Sequence, residues 1–140
     1  MDNVIYQLYG FNIVTSEIPL LRDYHSICES SDLPTVSVKT ASRIKLPASC
    51  QHLVQQQDTR FIFVSDDECY IDSKDNHRLV VNKGGILVQN RGGNNSVLFE
   101  EIMGPGLILL SRIYGRAILH GSAFFYNGRA FLVIAPSGVG

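Results

Sequence analysis

Paired cysteines, a surplus of charge of either sign, long apolar runs and internal repeats are all missing from this chain. Cys28, Cys50 and Cys69 are odd in number, widely spaced and without a CxxC pair, which argues against both a disulfide framework and a zinc site. Free thiols in a reducing compartment follow, so a cytoplasmic location is expected. Lys and Arg total 12 against 13 Asp and Glu, a formal net charge of −1. Such a balance provides no basic footprint for non-specific hold on nucleic acid or an anionic membrane, and neither is expected as a partner. The opening MDNVIYQLYGFNIV has no basic segment leading into an apolar one, and no stretch approaches the ~18 apolar residues that a spanning helix needs.

What is present is an ordinary globular mixture, 45% hydrophobic and 18% charged, able to bury a core. Its 140 residues fit one domain, or a small domain and the opening of a second. Residues 4–14, VIYQLYGFNIV, are β-branched and aromatic and are interrupted by Gly10, the pattern of two short strands or one bulged strand. Asp32-Leu33-Pro34 reads as a turn and TVSVKTA (35–41) as an alternating strand. Between 17 and 57 no helix is expected. RFIFVS (60–65), ECYID (68–72), HRLVV (77–81) and GILVQN (85–90), separated by polar turn clusters, read as an antiparallel meander.

Asn90 to Ser96 is the most linker-like tract and is expected to be a domain boundary or a long hairpin loop. Beyond it, Val97 to Tyr114 is apolar all round. Pro105 suits a first helical turn and Gly115 a helix stop, so a largely buried helix is expected from about Pro105 to Tyr114. AILHGSAFFYNGRAFLVIA then reads as a hairpin, strands 117–126 and 129–135, turning at Asn127-Gly128.

The apolar strand Ala130–Ile134 runs directly into Ala135-Pro136-Ser137-Gly138-Val139-Gly140. A phosphate-binding loop has the form G-x-x-x-x-G-K-[ST] between strand and helix, its glycines letting backbone N–H groups converge on phosphate oxygens. Ala135 stands at the first glycine position and Gly140 at the last, and the lysine and hydroxyl residue would come next. Spacing alone leaves a turn-forming tail equally open.

The stretch RIYGRAILHGSAFFYNGRAFLVIAPSGVG, within 107–140, resembles the HPr serine kinase/phosphorylase-like family, in which a His-Gly strand precedes a hairpin and a phosphate loop. Leu119-His120-Gly121-Ser122-Ala123 and Pro136-Ser137-Gly138-Val139-Gly140 match that pattern in order and spacing. YGFNIVTSEIPL (9–20) is similar to the N-terminal stretch of peptide-modifying members, including those that act on lasso precursor peptides; residues 21–60 carry no likeness. The resemblance implies an N-terminal β-rich domain followed by an α/β core like that of phosphoenolpyruvate carboxykinases. It also implies ATP and Mg as cofactors of the intact protein, and a histidine, here His120, near the phosphate end. The missing lysine, magnesium-binding groups and base would leave this chain inactive and with no bound cofactor.

Other polar residues have plainer explanations. Ser122 and Ser137 could contact phosphate, but small residues at such positions usually serve packing and turn geometry. Asp66-Asp67-Glu68 reads as a solvated turn rather than a cation site. His25, His52 and His77 have no metal-ligand spacing, and no metal site is expected. Arg112 and Arg116 suit a helix C-terminus.

The expected class is therefore α+β, mostly β: residues 1–96 as an antiparallel β-rich domain, then 97–140 as the first helix and hairpin of a truncated P-loop kinase core. By resemblance the function is phosphate transfer from ATP to a serine hydroxyl of a protein or peptide, with Ala135, Pro136, Ser137, Gly138, Val139 and Gly140 on the phosphates and His120 catalytic. The rival expectation is a non-catalytic β-domain that binds a peptide or protein. Strand edges left uncovered by the cut favour a homo-oligomer.

Overall fold

Tight turns place most strand boundaries in this chain. A computed structural model describes residues 4–15, 32–74, 76–119 and 121–134. β1 (Val4–Leu8) and β2 (Phe11–Thr15) form a hairpin across Tyr9-Gly10, both left-handed at φ 54° and 76°, the geometry that matches strand twist. β3 (Thr35–Thr40) follows the 32–34 turn, which buried Asn12 holds through Nδ2 to the Leu33 carbonyl at 3.1 Å. β4 (His52–Gln56), β5 (Thr59–Ser65), β6 (Glu68–Ser73), β7 (His77–Asn82) and β8 (Gly85–Asn90) then run as an antiparallel meander. β4 was not anticipated: HLVQQ is exposed along its whole length, so it carries no apolar alternation to announce it.

The eight strands make one sheet in the order β1-β2-β3-β8-β7-β6-β5-β4. The class is α+β and mostly β, as expected, but pairing is not antiparallel throughout. β3 lies parallel to both β2 and β8, because it enters between the two hairpin systems from a crossover rather than a tight turn. At that seam Gly85, with φ 128°, faces β3 so closely that a Cβ would lie 1.9 Å from the Ser37 carbonyl oxygen. Gly85 is therefore required for the β3–β8 ladder to close.

One face of the sheet is apolar and is covered by a helix. α1 (Asn95–Glu101), a π turn (Ile102–Gly106) and α2 (Leu107–Ile113) follow one another without a break. Leu98, Ile102, Leu107 and Leu110 join Phe11, Ile13, Val38, Ile71, Leu79 and Val88 in one buried cluster. Each such side chain contributes roughly 1.5–3 kcal/mol on burial. The division expected at 96/97 falls inside α1, whose apolar stripe shares its core with the sheet. Asn94 is the N-cap, its side chain accepting from the Ser96 amide at 2.8 Å, so the linker-like tract is in fact a helix start.

Pro105 was expected in a first helical turn; it lies instead within the π turn. Proline has no N–H for the ordinary i→i−4 bond and its ring crowds that carbonyl, and widening the turn relieves both. The Leu107 amide accordingly reaches back to the Ile102 carbonyl. At the far end Gly115, with φ 69°, closes the helix as anticipated. Its amide bonds the Arg112 carbonyl at 2.8 Å and the Arg116 amide bonds Ser111 at 2.9 Å, the paired pattern of a Schellman stop.

Arg116 does more than face the helix dipole. Its Nη1 donates to the carbonyls of Tyr9 and Gly10, both at 3.0 Å, and its guanidinium lies 4.1 Å from the Phe11 ring centroid. The helix end is thereby fastened to the β1–β2 turn. β9 (Ser122–Tyr126) and β10 (Arg129–Val133) form a separate two-stranded sheet, with Asn127 and Gly128 left-handed at its turn. The first of these strands begins at 122, not 117.

Gly85→Ala should combine positive-φ strain with a backbone collision, a loss of at least about 3 kcal/mol. Urea unfolding of the variant beside the parent chain checks this, and an unchanged midpoint would contradict the seam described.

Candidate functional site

His120 and Ala135 to Gly140, the residues expected to hold phosphate, lie outside the described residues. What is described is the hairpin that joins them. Ser122 pairs with Val133, and Phe124 stacks on Phe131 with ring centroids 5.1 Å apart. Gly121, which follows His120 in the chain, lies against the end of β10: a Cβ there would meet the Val133 carbonyl oxygen at 2.6 Å. The glycine of the His-Gly pair is thus needed for close approach at the strand that leads to Ala135. Every residue of β9 and β10 is exposed, Ser122 among them.

A second polar centre is built on the outer face of the larger sheet. Hairpin register sets Arg60 opposite Asp72, and Asp72 opposite Arg78, so three charged side chains on adjacent strands project to one side. Asp72 is only 4% exposed. Its Oδ2 accepts from Arg60, and its Oδ1 from Arg78 Nε at 2.8 Å and from Arg91 Nη2 at 3.1 Å. Burial alone would raise the Asp72 carboxyl, but hydrogen bonds from Arg60 and Arg78, with the charges of both, outweigh it and hold the group below the ordinary carboxylate value. Arg78 also donates Nη1 to the Ile44 carbonyl at 2.8 Å, and Gln89 Oε1 receives the Ile44 amide at 3.0 Å. Segment 41–50 is so tied across this face. Beside the cluster opens a cleft of about 400 Å³, reached by Gln55, Asp58 and Lys74 as well.

Under the helix lies a third group. His77 is fully buried, with Nδ1 3.3 Å from Glu101 Oε2, and Ser73 Oγ donates to the other carboxylate oxygen. Gly93 covers the imidazole so tightly that a Cβ would lie 2.6 Å from His77 Cε1. The ring is closed off from solvent, and the hydrogen bond from the Ser73 hydroxyl to Glu101 ties α1 to the end of β6, while the His77 nitrogens and Glu101 Oε2 make no hydrogen bond among the described residues. His52, on the exposed edge strand, lies 5.9 Å from the Phe63 ring.

The remaining reactive types are plainly placed. Burial pushes the Cys69 thiol up to about 11, with the Arg112 charge offsetting only part, so it is no thiolate nucleophile at neutral pH. Asp67 pairs with Lys83 at 3.0 Å on the surface, a solvated turn as expected. Among the described residues no three His, Cys, Asp or Glu side chains converge as a metal site would require, and no helix is long and apolar enough to cross a membrane.

The arginine cluster was missed from the sequence, although a signal existed. Once the turns at Ser65–Asp67 and Ser73–Asn76 are counted as hairpins, Arg60, Asp72 and Arg78 fall in one cross-strand row. Arg91, contributed by the tract after β8, has no such marker. No family model, no curated protein and no solved structure matches the chain.

Asp72→Asn should lower stability by roughly 2–3 kcal/mol, since it leaves three guanidinium groups around a neutral amide. A depressed folded-state pKa means that Asp72 contributes fully above its unfolded value of about 3.9, and the contribution disappears as pH falls through the lower folded value. Denaturant unfolding between pH 7 and pH 2 should show the parent losing this increment below about pH 4, and D72N lacking it.

Proposed function

We propose that the chain is the N-terminal part of an ATP-dependent serine kinase of the HPr kinase/phosphorylase-like type, transferring phosphate to a serine hydroxyl of a protein or peptide. The observation that carries this reading is the linkage of its two motif halves. Gly121 of Leu119-His120-Gly121-Ser122-Ala123 packs against Val133, two residues before the Ala135–Gly140 loop sequence, in a hairpin closed by Asn127-Gly128. The His-Gly pair, a tight hairpin and the small-residue loop sequence therefore follow one another in the order that the resemblance implies.

In this reading the 135–140 loop wraps the ATP phosphates with the backbone N–H groups of Ser137 to Gly140, and His120 stands near the transferred group to orient it or exchange a proton. ATP and Mg supply the phosphoryl group and its charge neutralisation. Phosphoryl transfer rests on positioning and on charge stabilisation by lysine and metal. In this reading the loop's lysine and hydroxyl residue come directly after Gly140. The exposed Phe124, Phe125, Phe131 and Leu132 are the side chains a larger core sheet would cover; without it they favour self-association of the chain. A cytoplasmic location belongs to the same reading.

Expression of the chain with the residues encoded after Gly140 tests the reading. The next two should be Lys and then Ser or Thr, and the longer protein should transfer the γ-phosphate of ATP to a seryl peptide. Replacing that lysine should reduce transfer by about 10²–10³-fold, and His120→Ala by about 10²-fold with nucleotide binding retained. A different pair of residues after Gly140 removes the reading. Light scattering of the 140-residue chain at high concentration should show species larger than a monomer.

A further inference from the structure

β4 ends the eight-stranded sheet, and among the described residues it pairs with β5 alone. All five of its residues are exposed, with Leu53 at 52% and Val54 at 40%. Natural sheet edges are commonly blunted by lysine, proline or a bulge. His52-Leu53-Val54-Gln55-Gln56 contains neither lysine nor proline, and its ladder to β5 runs without a register shift over all five pairs. Among the described residues no strand pairs with its outer edge, so its N–H and C=O groups there can continue the ladder.

Immediately inboard lies the arginine cleft. Gln55 is paired with Arg60, which is paired with Asp72, which is paired with Arg78. Side chains opposite one another share a face of the pleat, so a residue added opposite Gln55 would project to the face on which the cleft opens. The cleft carries four cations, Arg60, Lys74, Arg78 and Arg91, against the carboxylates Asp58 and Asp72. Asp72 is already saturated by three guanidinium groups. Lys74 has no ion-pair partner among the described residues. The Arg60 side chain is 45% exposed, and only its Nη2 is engaged with Asp72, leaving much of the guanidinium fork open to a second carboxylate. In a chain whose overall charge is −1, this local surplus of positive charge beside a strand edge that no described strand pairs is a combination suited to a particular ligand.

We propose that β4 and the cleft beside it bind an acidic peptide in extended form, the peptide adding a ninth strand to the sheet and placing an Asp or Glu side chain against Arg60 and Lys74. Main-chain hydrogen bonds to β4 supply affinity, the mode in which strand addition works generally. The carboxylate supplies selectivity for acid over base. This assignment stands on the sheet edge and the cleft, independently of residues 120–140.

The test uses the full chain and a fluorescent octapeptide of alternating Glu and Thr, followed by anisotropy at low salt. A matched Lys-Thr peptide should bind at least about tenfold more weakly. The Arg60→Gln/Lys74→Gln double variant should lose about tenfold in affinity for the acidic peptide, with its fold checked by circular dichroism. Lys74→Gln alone, a surface change, serves if the double variant does not fold, and should reduce binding several-fold. Methylating alternate backbone nitrogens of the peptide should abolish binding, because a strand without its donors cannot extend a ladder. Equal binding of both peptides, no loss in the cleft variants, or undiminished binding of the methylated peptide would each overturn the proposal. So would displacement experiments in which inorganic phosphate occupies the cleft and no peptide binds, since the cleft would then hold free anions only.

Discussion

The large sheet depends on the seam where β3 meets β8. Without it the molecule would be a β1–β2 hairpin and a separate five-stranded meander, each with an open edge. β3 closes both at once, parallel to each neighbour, and Val36 and Val38 are almost fully buried there. The approach is possible only because Gly85 has no Cβ to set against the Ser37 carbonyl. A parallel join gains nothing until a long connection has been ordered, so it must be favoured by what it buries. The apolar face it completes is what the helix covers.

That helix is shaped by the same need. A straight run of α-helix through Pro105 would lose a backbone bond and push the ring into the preceding turn. The π turn at Ile102–Gly106 absorbs the misfit while Ile102, Gly106 and Leu107 stay buried against the sheet. Its two ends are held by polar fastenings of different kinds. Ser73 and His77 meet Glu101 in the first half. Arg116 grips the Tyr9 and Gly10 carbonyls after the second. Hydrophobic cover is non-directional, and these contacts fix the helix in one place along it.

The two faces of the sheet therefore do different work. The inner face carries the core. The outer face carries Asp72 with its three arginines, a buried network of the kind that seldom out-performs apolar packing. It holds segment 41–50 across the strands through Arg78 and Ile44, and it leaves a charged cleft beside an open edge. Among the described residues the β9–β10 hairpin adds no side chain to the buried cluster. Its exposed aromatic strands form a separate two-stranded sheet.

Local signals were legible in the residues themselves. Asn127-Gly128 announced a hairpin, Gly10 a break between two short strands or a bulge, Gly115 a helix stop, the alternation of TVSVKTA β3, and the apolar runs between polar turns β5–β8, because each depends on φ preferences or period over a few neighbouring residues. The helix start was hidden, since Asn94 reads equally as loop and as cap, and the apolar run after it has no clean period. The parallel seam, the place of Pro105 in a widened turn, the exposed strand β4 and the gathering of Arg60, Asp72, Arg78 and Arg91 were decided only in three dimensions. Each joins residues that lie far apart in the chain or answers to what packs above it, and no short-range preference of the backbone encodes such a meeting.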